Sequence, residues 1–260
     1  MNNFKGTFIT FEGGEGTGKS TQSKLLYEYL ISKNINTILT REPGGCLESE
    51  EIRNILVKGN LDKWDPITES LLHNAARREH IIKIIKPALL ANKIVICDRF
   101  VDSTMAYQGI GLGVNSNFLD VLSNEITEGI TPNITFIFDM DIKISLKRAS
   151  IRDKKSQNRY ENFNEEFHKK VRNYFQSLTK IDKRYVLIDA SKNIEQISNP
   201  DLLYDEAKKI LEKHPKEVQD YKNGKDKLMG FFVGQIMKET QGKANPKTLN
   251  QILNELLKGE

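Results

Sequence analysis

Gly13-Gly14-Glu15-Gly16-Thr17-Gly18-Lys19-Ser20 is the stretch that decides the fold. It follows the apolar run Thr7-Phe8-Ile9-Thr10-Phe11 and precedes Thr21-Gln22-Ser23-Lys24-Leu25-Leu26, which has helical periodicity. A strand, a glycine-rich turn and a helix in that order, with G-x-x-x-x-G-K-[ST] across the join, form a loop built to bind polyphosphate. Glycines let the backbone take positive φ and bring its N–H groups close to the anion. The helix that follows adds the positive end of its dipole. Lys19 is then expected on the β- and γ-phosphates of a bound nucleotide, and the Ser20 hydroxyl on Mg²⁺.

Working outward, 260 residues suggest one large domain, or one domain with a small appendage. A hydrophobic fraction of 38% is enough for a core, and a net charge of +4 is too mild to argue for nucleic acid by itself. Cys46 and Cys97 are the only cysteines, too few for a disulfide framework or a zinc site. The segment Met1–Gly6 lacks the apolar stretch of a signal peptide, and no apolar run reaches membrane-spanning length. A cytoplasmic protein with no membrane partner is expected.

The helix after the loop is expected to run to about Lys33, followed by a strand at Asn36–Thr40 and a turn at Arg41-Glu42-Pro43-Gly44-Gly45. Helical stretches at about 47–57 and 68–91 lead to a buried strand, Lys93–Cys97, that ends in Asp98-Arg99-Phe100. Helices surround a turn at Gly109–Gly113, and strands follow at Ile134–Asp139 and Tyr185–Asp189. Strands separated by helices imply an α/β fold, a parallel sheet with helices on both faces. Glu12, Arg41, Asp98, Asp139 and Asp189 fall at strand C-terminal ends, where open α/β sheets bind ligands. The polar, basic run between Ile151 and Tyr160 reads on charge alone either as a mobile lid over phosphates or as a solvated connection.

Four motifs together resemble thymidylate kinase over residues 4 to 198. They are Phe8–Gly16, Thr40–Gly45, Asp98-Arg99-Phe100 with Ser103-Thr104 and Ala106-Tyr107-Gln108-Gly109, and Asn158-Arg159-Tyr160-Glu161. The resemblance implies a P-loop kinase fold, a homodimer, and transfer of the ATP γ-phosphoryl to dTMP with Mg²⁺. It places the ATP phosphates on Gly13, Gly14, Glu15, Gly16, Thr17, Gly18, Lys19, Ser20 and Thr21, and adenine on Arg152, with Ala190-Ser191 as a second adenine contact. Ser20 and Asp98 are implied as the metal-site residues, and Lys19, Glu15, Asp98, Arg99 and Arg159 as the catalytic set. Arg53 and Arg99 would hold the acceptor phosphate and Glu15 the sugar 3′-hydroxyl. Arg77, Thr104 and Gln108 would select the base, with Tyr107 packed against the sugar. His73 stands where the family usually stacks a Phe on thymine; an imidazole has less area, and its charge ordinarily changes near pH 6.5. Another nucleoside monophosphate kinase is the alternative within enzymes. An RNA-binding protein with a scaffold kinase half is the alternative outside them.

A kinase of this kind is nearly complete at Ser198, so residues 1–198 and 199–260 are expected as separate domains. The tail reads as helices at Leu202–Lys213, from about Glu217 to a break at Asn223-Gly224, from Lys225 to Glu239, and after Asn245-Pro246, which predicts a small all-α bundle. Its Phe231–Lys238, Gly242–Pro246 and Leu249…Ile252-Leu253 segments resemble the C-terminal domain of the B component of aspartyl/glutamyl-tRNA amidotransferase, which contacts tRNA in that family, so the tail reads either as a tRNA-contacting module or as an inert packing module.

Overall fold

The computed structural model describes residues 4–152, 159–191, 200–226, 228–240, 244 and 246–258. It divides into two units, Met1–Ser191 and Lys192–Glu260. Residues 153–158 of the basic run read as a lid or a solvated connection, the side chain of Arg152, the 198/199 boundary and most of the Gly242–Pro246 motif lie outside the described residues.

The first unit runs β1 (Thr7–Gly13), α1 (Lys19–Ser32), β2 (Thr37–Arg41), α2 (Leu47–Leu56), α3 (Pro66–His80), a π-helical turn (Ile81–Ile85), α4 (Lys86–Leu90) and β3 (Ile94–Asp98). It continues through α5 (Val101–Thr104), a π-helical stretch (Met105–Gly111), α6 (Ser116–Thr127), β4 (Ile134–Asp139), α7 (Ile142–Arg152), a 3₁₀ turn (Arg159–Asn162), α8 (Glu165–Leu178) and β5 (Tyr185–Asp189). The strands are all parallel in the order β2-β3-β1-β4-β5. The chain therefore leaves β1 toward one sheet edge, returns to β3, and crosses to β4 on the other side of β1. Ligands of such sheets bind at that reversal. Register sets Phe11 beside Asp98 and Gly13 beside Phe138, so the ends of β1, β3 and β4 converge.

Local sequence accounts for the pieces that shape this end of the sheet. Gly13 has φ 134°, and a Cβ there would lie 2.4 Å from the Phe138 carbonyl oxygen, so β1 can leave the sheet beside β4 only as glycine. Asp65 caps α3 by accepting from the backbone N–H groups of Ile67 (2.9 Å) and Thr68 (3.2 Å), with Pro66 as the first helical residue. Within α3, Glu69, His73 and Arg77 recur every four residues and so share one face. The expected turn at Gly109–Gly113 takes a different form. The π-helical stretch continues through Gly111, with the Leu112 N–H on the Tyr107 carbonyl at 2.9 Å, and the chain turns only at Gly113, φ 79°.

Apolar packing holds the frame. Phe8 and Phe100, both fully buried, meet edge to face at 5.0 Å in a cluster with Ile81, Ile85, Leu89 and Val95. A Phe→Ala change at either would cost about 3–5 kcal/mol. Phe11, Ile96 and Phe138 pack with Leu26, Tyr27 and Leu30 of α1.

The second unit comprises α9 (Pro200–Lys213), α10 (Pro215–Lys222), α11 (Leu228–Glu239) and α12 (Pro246–Lys258). Leu203, Ala207 and Ile210 lie at helical spacing and bury against Phe232, Ile236, Leu249, Ile252 and Leu253, so this core is built from the unit's own residues. Gly224, φ 95°, follows the end of α10. Among the described residues no helix is long and apolar enough to cross a membrane.

Candidate active site

The loop between β1 and α1 is closed on itself. Lys19 Nζ donates to the Gly14 carbonyl at 2.6 Å and lies 3.5 Å from Thr17 Oγ1. Its ammonium is buried, and burial first, then the Arg99 charge, pulls its pKa down to about 8. The Ser20 hydroxyl donates to Asp98 Oδ2, while Asp98 Oδ1 is buried with no partner among the described residues. An orphaned carboxylate oxygen is costly unless something positive meets it. Beside a serine hydroxyl it forms a hard-oxygen pair of the kind that suits Mg²⁺.

Arg99 follows β3 with φ 72°, in the left-handed region that non-glycine residues rarely occupy. That backbone turns its guanidinium back over the loop. Nη1 donates to the Gly13 carbonyl (3.1 Å) and Ser103 Oγ (3.0 Å), and Nη2 to Glu15 Oε1 (2.8 Å) and Tyr107 Oη (3.2 Å). Tyr107 also donates to Glu15 at 3.1 Å. Below them, Glu12 accepts from the Phe100 N–H (2.7 Å) and the Ser103 hydroxyl (2.6 Å), and burial with Asp102 nearby pushes its carboxyl up to about 8. Arg53 bonds the Pro43 carbonyl at 2.7 Å, and its other N–H groups have no partner among the described residues.

The α3 face supplies a second group. Arg77, buried, donates to Glu42 (2.7 Å), Asn74 (3.1 Å), the Phe100 carbonyl (3.0 Å) and Thr104 (3.0 Å). Glu42 is held below the usual carboxylate range, its burial outweighed by Arg77 and His80. Glu42, His80 and Cys97 lie close enough together to suggest a metal cluster. Their donor atoms are already engaged with Arg77, with one another, with Thr40 and with the Arg99 carbonyl, so the group serves to seat Arg77. One cavity of about 320 Å³ joins the two groups: Lys19, Ser20 and Asp98 at one end, Arg53 and Arg99 between, and His73, Arg77, Thr104 and Gln108 at the other.

A family model described as Thymidylate kinase matches residues 11–200. The chain belongs to the thymidylate kinase family. It is 48% identical over 198 residues to the thymidylate kinase of Ehrlichia ruminantium (strain Gardel), covering 74% of this chain and 93% of that one. It is 48% identical over 194 residues to the thymidylate kinase of Onion yellows phytoplasma (strain OY-M), again covering 74% and 93%. A crystal structure of thymidylate kinase from Ehrlichia chaffeensis matches with a TM-score of 0.58 at 42% identity, over 70% of this chain and 92% of that one. A GatB domain model matches residues 168–257, which include the helical tail.

Against the thymidylate kinase pattern, Glu15, Gly16, Gly18, Lys19, Ser20, Arg53, His73, Arg77, Asp98, Arg99, Thr104, Tyr107 and Gln108 all line the cavity. Arg159 does not. Its Nε bonds the Leu56 carbonyl (2.7 Å), Nη1 the Leu61 carbonyl (3.1 Å), and Nη2 pairs with Glu69 and reaches Tyr160 Oη (3.2 Å), with the side chain fully buried. The resemblance implies Arg159 in the catalytic set; in this structure every nitrogen of its guanidinium bonds the protein, away from the cavity. His73 bonds Tyr160 Oη at 2.9 Å, and burial, then Arg77, Arg159, Arg99 and Arg53, pull its pKa down to about 3, which favours the neutral ring.

The structure gives roles to residues that the sequence left without one. Glu42 and Glu12 seat Arg77 and the Phe100–Ser103 turn, and Glu69 accepts from Gln108 Nε2 (2.7 Å) and Tyr160 Oη (2.6 Å) as well as from Arg159. The spacing of Glu69 four residues before His73 and eight before Arg77 is the signal that places Glu69 on the same wall.

Proposed function

We propose that this chain phosphorylates dTMP to dTDP, with ATP as phosphoryl donor and Mg²⁺ at Ser20 and Asp98. The observation that carries the reading is the single cavity shared by Lys19, Ser20 and Asp98 with Arg99, Arg77 and Gln108. A phosphate-binding loop and a base-sized polar wall at opposite ends of one space fit a nucleotide acceptor lying against a nucleotide donor.

The reaction brings two anionic phosphates together, so catalysis is mostly positioning and charge compensation. The backbone of residues 13–21 cradles the donor phosphates, and Lys19 exchanges the Gly14 carbonyl for their oxygens. Arg99 and Arg53 hold the acceptor phosphate, the latter with N–H groups that no described residue engages. An acceptor phosphate oxygen attacks Pγ as the bond from Pγ to the β,γ-bridging oxygen breaks, and no side chain need accept a proton. Asp98 and Ser20 would hold Mg²⁺, whose charge would offset that of the donor phosphates. Glu15, fixed by Arg99 and Tyr107, receives the sugar 3′-hydroxyl, and the Tyr107 ring crowds a 2′-hydroxyl. Arg77, Thr104 and Gln108 read the base edge, and the neutral His73 ring stacks on it. Arg152 we assign to adenine from its position in the family pattern.

The exposed apolar side chains Ile67, Leu71, Phe118 and Val121 on α3 and α6 support a homodimer, and two free cysteines fit a cytoplasmic protein. For the tail, the GatB match supports a tRNA contact, which would be weak because 11 Lys face 10 Asp and Glu over residues 200–260.

The test is ADP release with each nucleoside monophosphate in turn. dTMP should be fastest, dUMP slower, and dCMP, dAMP and dGMP near background. A dGMP or CMP rate above that of dTMP would overturn the assignment.

A further inference from the structure

Glu69 is fully buried, three of the groups it binds are hydrogen donors, and it stands one helical turn from His73 and two from Arg77. An ionised carboxylate accepts and never donates. Each group that touches it must therefore turn its hydrogen toward Glu69, which settles what that group offers elsewhere.

At Gln108, the contact of 2.7 Å to Glu69 Oε1 is made by the amide nitrogen. The other arm of the amide is then the carbonyl oxygen, an acceptor, on a side chain that lines the cavity. At Tyr160, the one hydroxyl hydrogen goes to Glu69 at 2.6 Å, so the oxygen's contact at 2.9 Å with His73 Nε2 requires the imidazole to donate. A neutral imidazole carries one N–H, so Nδ1 is left as an acceptor on a ring that also lines the cavity. Opposite in polarity stands Arg77. Four of its five N–H groups are used on Glu42, Asn74, Phe100 and Thr104, and one Nη1 hydrogen remains. The wall thus presents one N–H donor with acceptors beside it. A thymine or uracil edge carries a carbonyl acceptor at C4 and a donor at N3. Cytosine carries the reverse, an amino donor at C4 and an acceptor at N3.

We infer that Glu69, which need not touch the nucleotide, is the positioning residue that sets the hydrogen-bond polarity of the base-reading wall, through Gln108 directly and through Tyr160 to His73. This rests on the reading of the cavity as the acceptor site. Without the carboxylate, the Gln108 amide can turn over and offer N–H to the base, and the His73 tautomer is released. Selection against cytosine then falls even where the pocket keeps its shape.

The experiment compares kcat/KM for dTMP and dCMP in full-length wild type, Glu69→Gln and Gln108→Leu, with circular dichroism to establish folding. A merely structural role for Glu69 would lower both substrates together. Polarity setting lowers the dTMP-to-dCMP ratio, by about tenfold or more. A ratio lost in Gln108→Leu but kept in folded Glu69→Gln overturns the role of Glu69 and leaves the site reading intact; a ratio unchanged in both overturns the site reading itself. Because Glu69→Gln also strips Arg159 of its partner and can fail to fold, the ¹⁵N shifts of His73 in the wild-type chain supply a second measurement. The Nε2–H tautomer is expected, and an Nδ1–H tautomer overturns the inference.

Discussion

Arg159 and Glu69 form an ion pair across 90 residues of sequence, with both side chains essentially inaccessible to water. The pair ties the start of the 3₁₀ turn to α3, and the Leu56 and Leu61 carbonyls and the Tyr160 hydroxyl accept from the same guanidinium. Breaking a buried pair from one side leaves the other charge uncompensated, which costs about 3–5 kcal/mol. Arg159→Ala should therefore show a large fall in denaturation midpoint, together with lost activity. A variant with wild-type stability and a lowered kcat alone would return Arg159 to the phosphoryl group.

Lys19 gives a proton-linked prediction. Its ammonium sits at about 8 in the free protein because it is buried and faces Arg99. A bound polyphosphate favours the charged form and raises that value. At about pH 8.5 the free protein holds Lys19 largely neutral, so ATP binding should take up a proton, and ATP affinity should fall as pH rises through this range. Below about pH 7 the lysine is charged in both states, and this uptake vanishes. Calorimetry in buffers of different ionisation enthalpy measures it. Lys19→Ala should abolish the uptake and cut turnover by roughly 10²–10³-fold; uptake that persists in the variant would assign the titration elsewhere.

The frame of this site is legible in the sequence because local chemistry determines it. The glycine spacing before Lys19 and Ser20 has one structural use, and the strand ending in Asp98-Arg99 lies beside it in any parallel sheet of this order. Glu69 is hidden because an acidic residue in the first turn of a helix ordinarily faces water, and its partners Gln108, Arg159 and Tyr160 lie 39 to 91 residues away. The buried setting of Arg159 is hidden for the same reason: a lid-end arginine and a buried anchor differ only in tertiary surroundings. The lowered pKa of His73 comes first from burial and then from four arginines, of which only Arg77 shares its helix, so local pattern records little of it. The glycines at 109 and 111 suggest a turn where a wide helical turn carries Tyr107 and Gln108 into the cavity.

The tail should be dispensable for the chemistry. Every described residue that lines the cavity lies at or before Tyr160, and the last strand of the sheet closes at Asp189. The four tail helices bury Leu203, Ile210, Phe232, Ile236 and Leu253 in a core of their own. Some sixty residues are near the lower limit for independent folding, so the segment gains little stability to spare. A chain ending at Ser198 should fold, keep most of its kcat/KM for dTMP, and melt within a few degrees of the full-length protein. The measurement is dTMP-dependent ADP release by the truncated protein, with folding established by circular dichroism and assembly by sedimentation. If activity collapses in a folded truncation that has become monomeric, the tail contributes to the dimer. If it collapses with assembly unchanged, the tail supplies part of the active site, and the division at 198 is wrong.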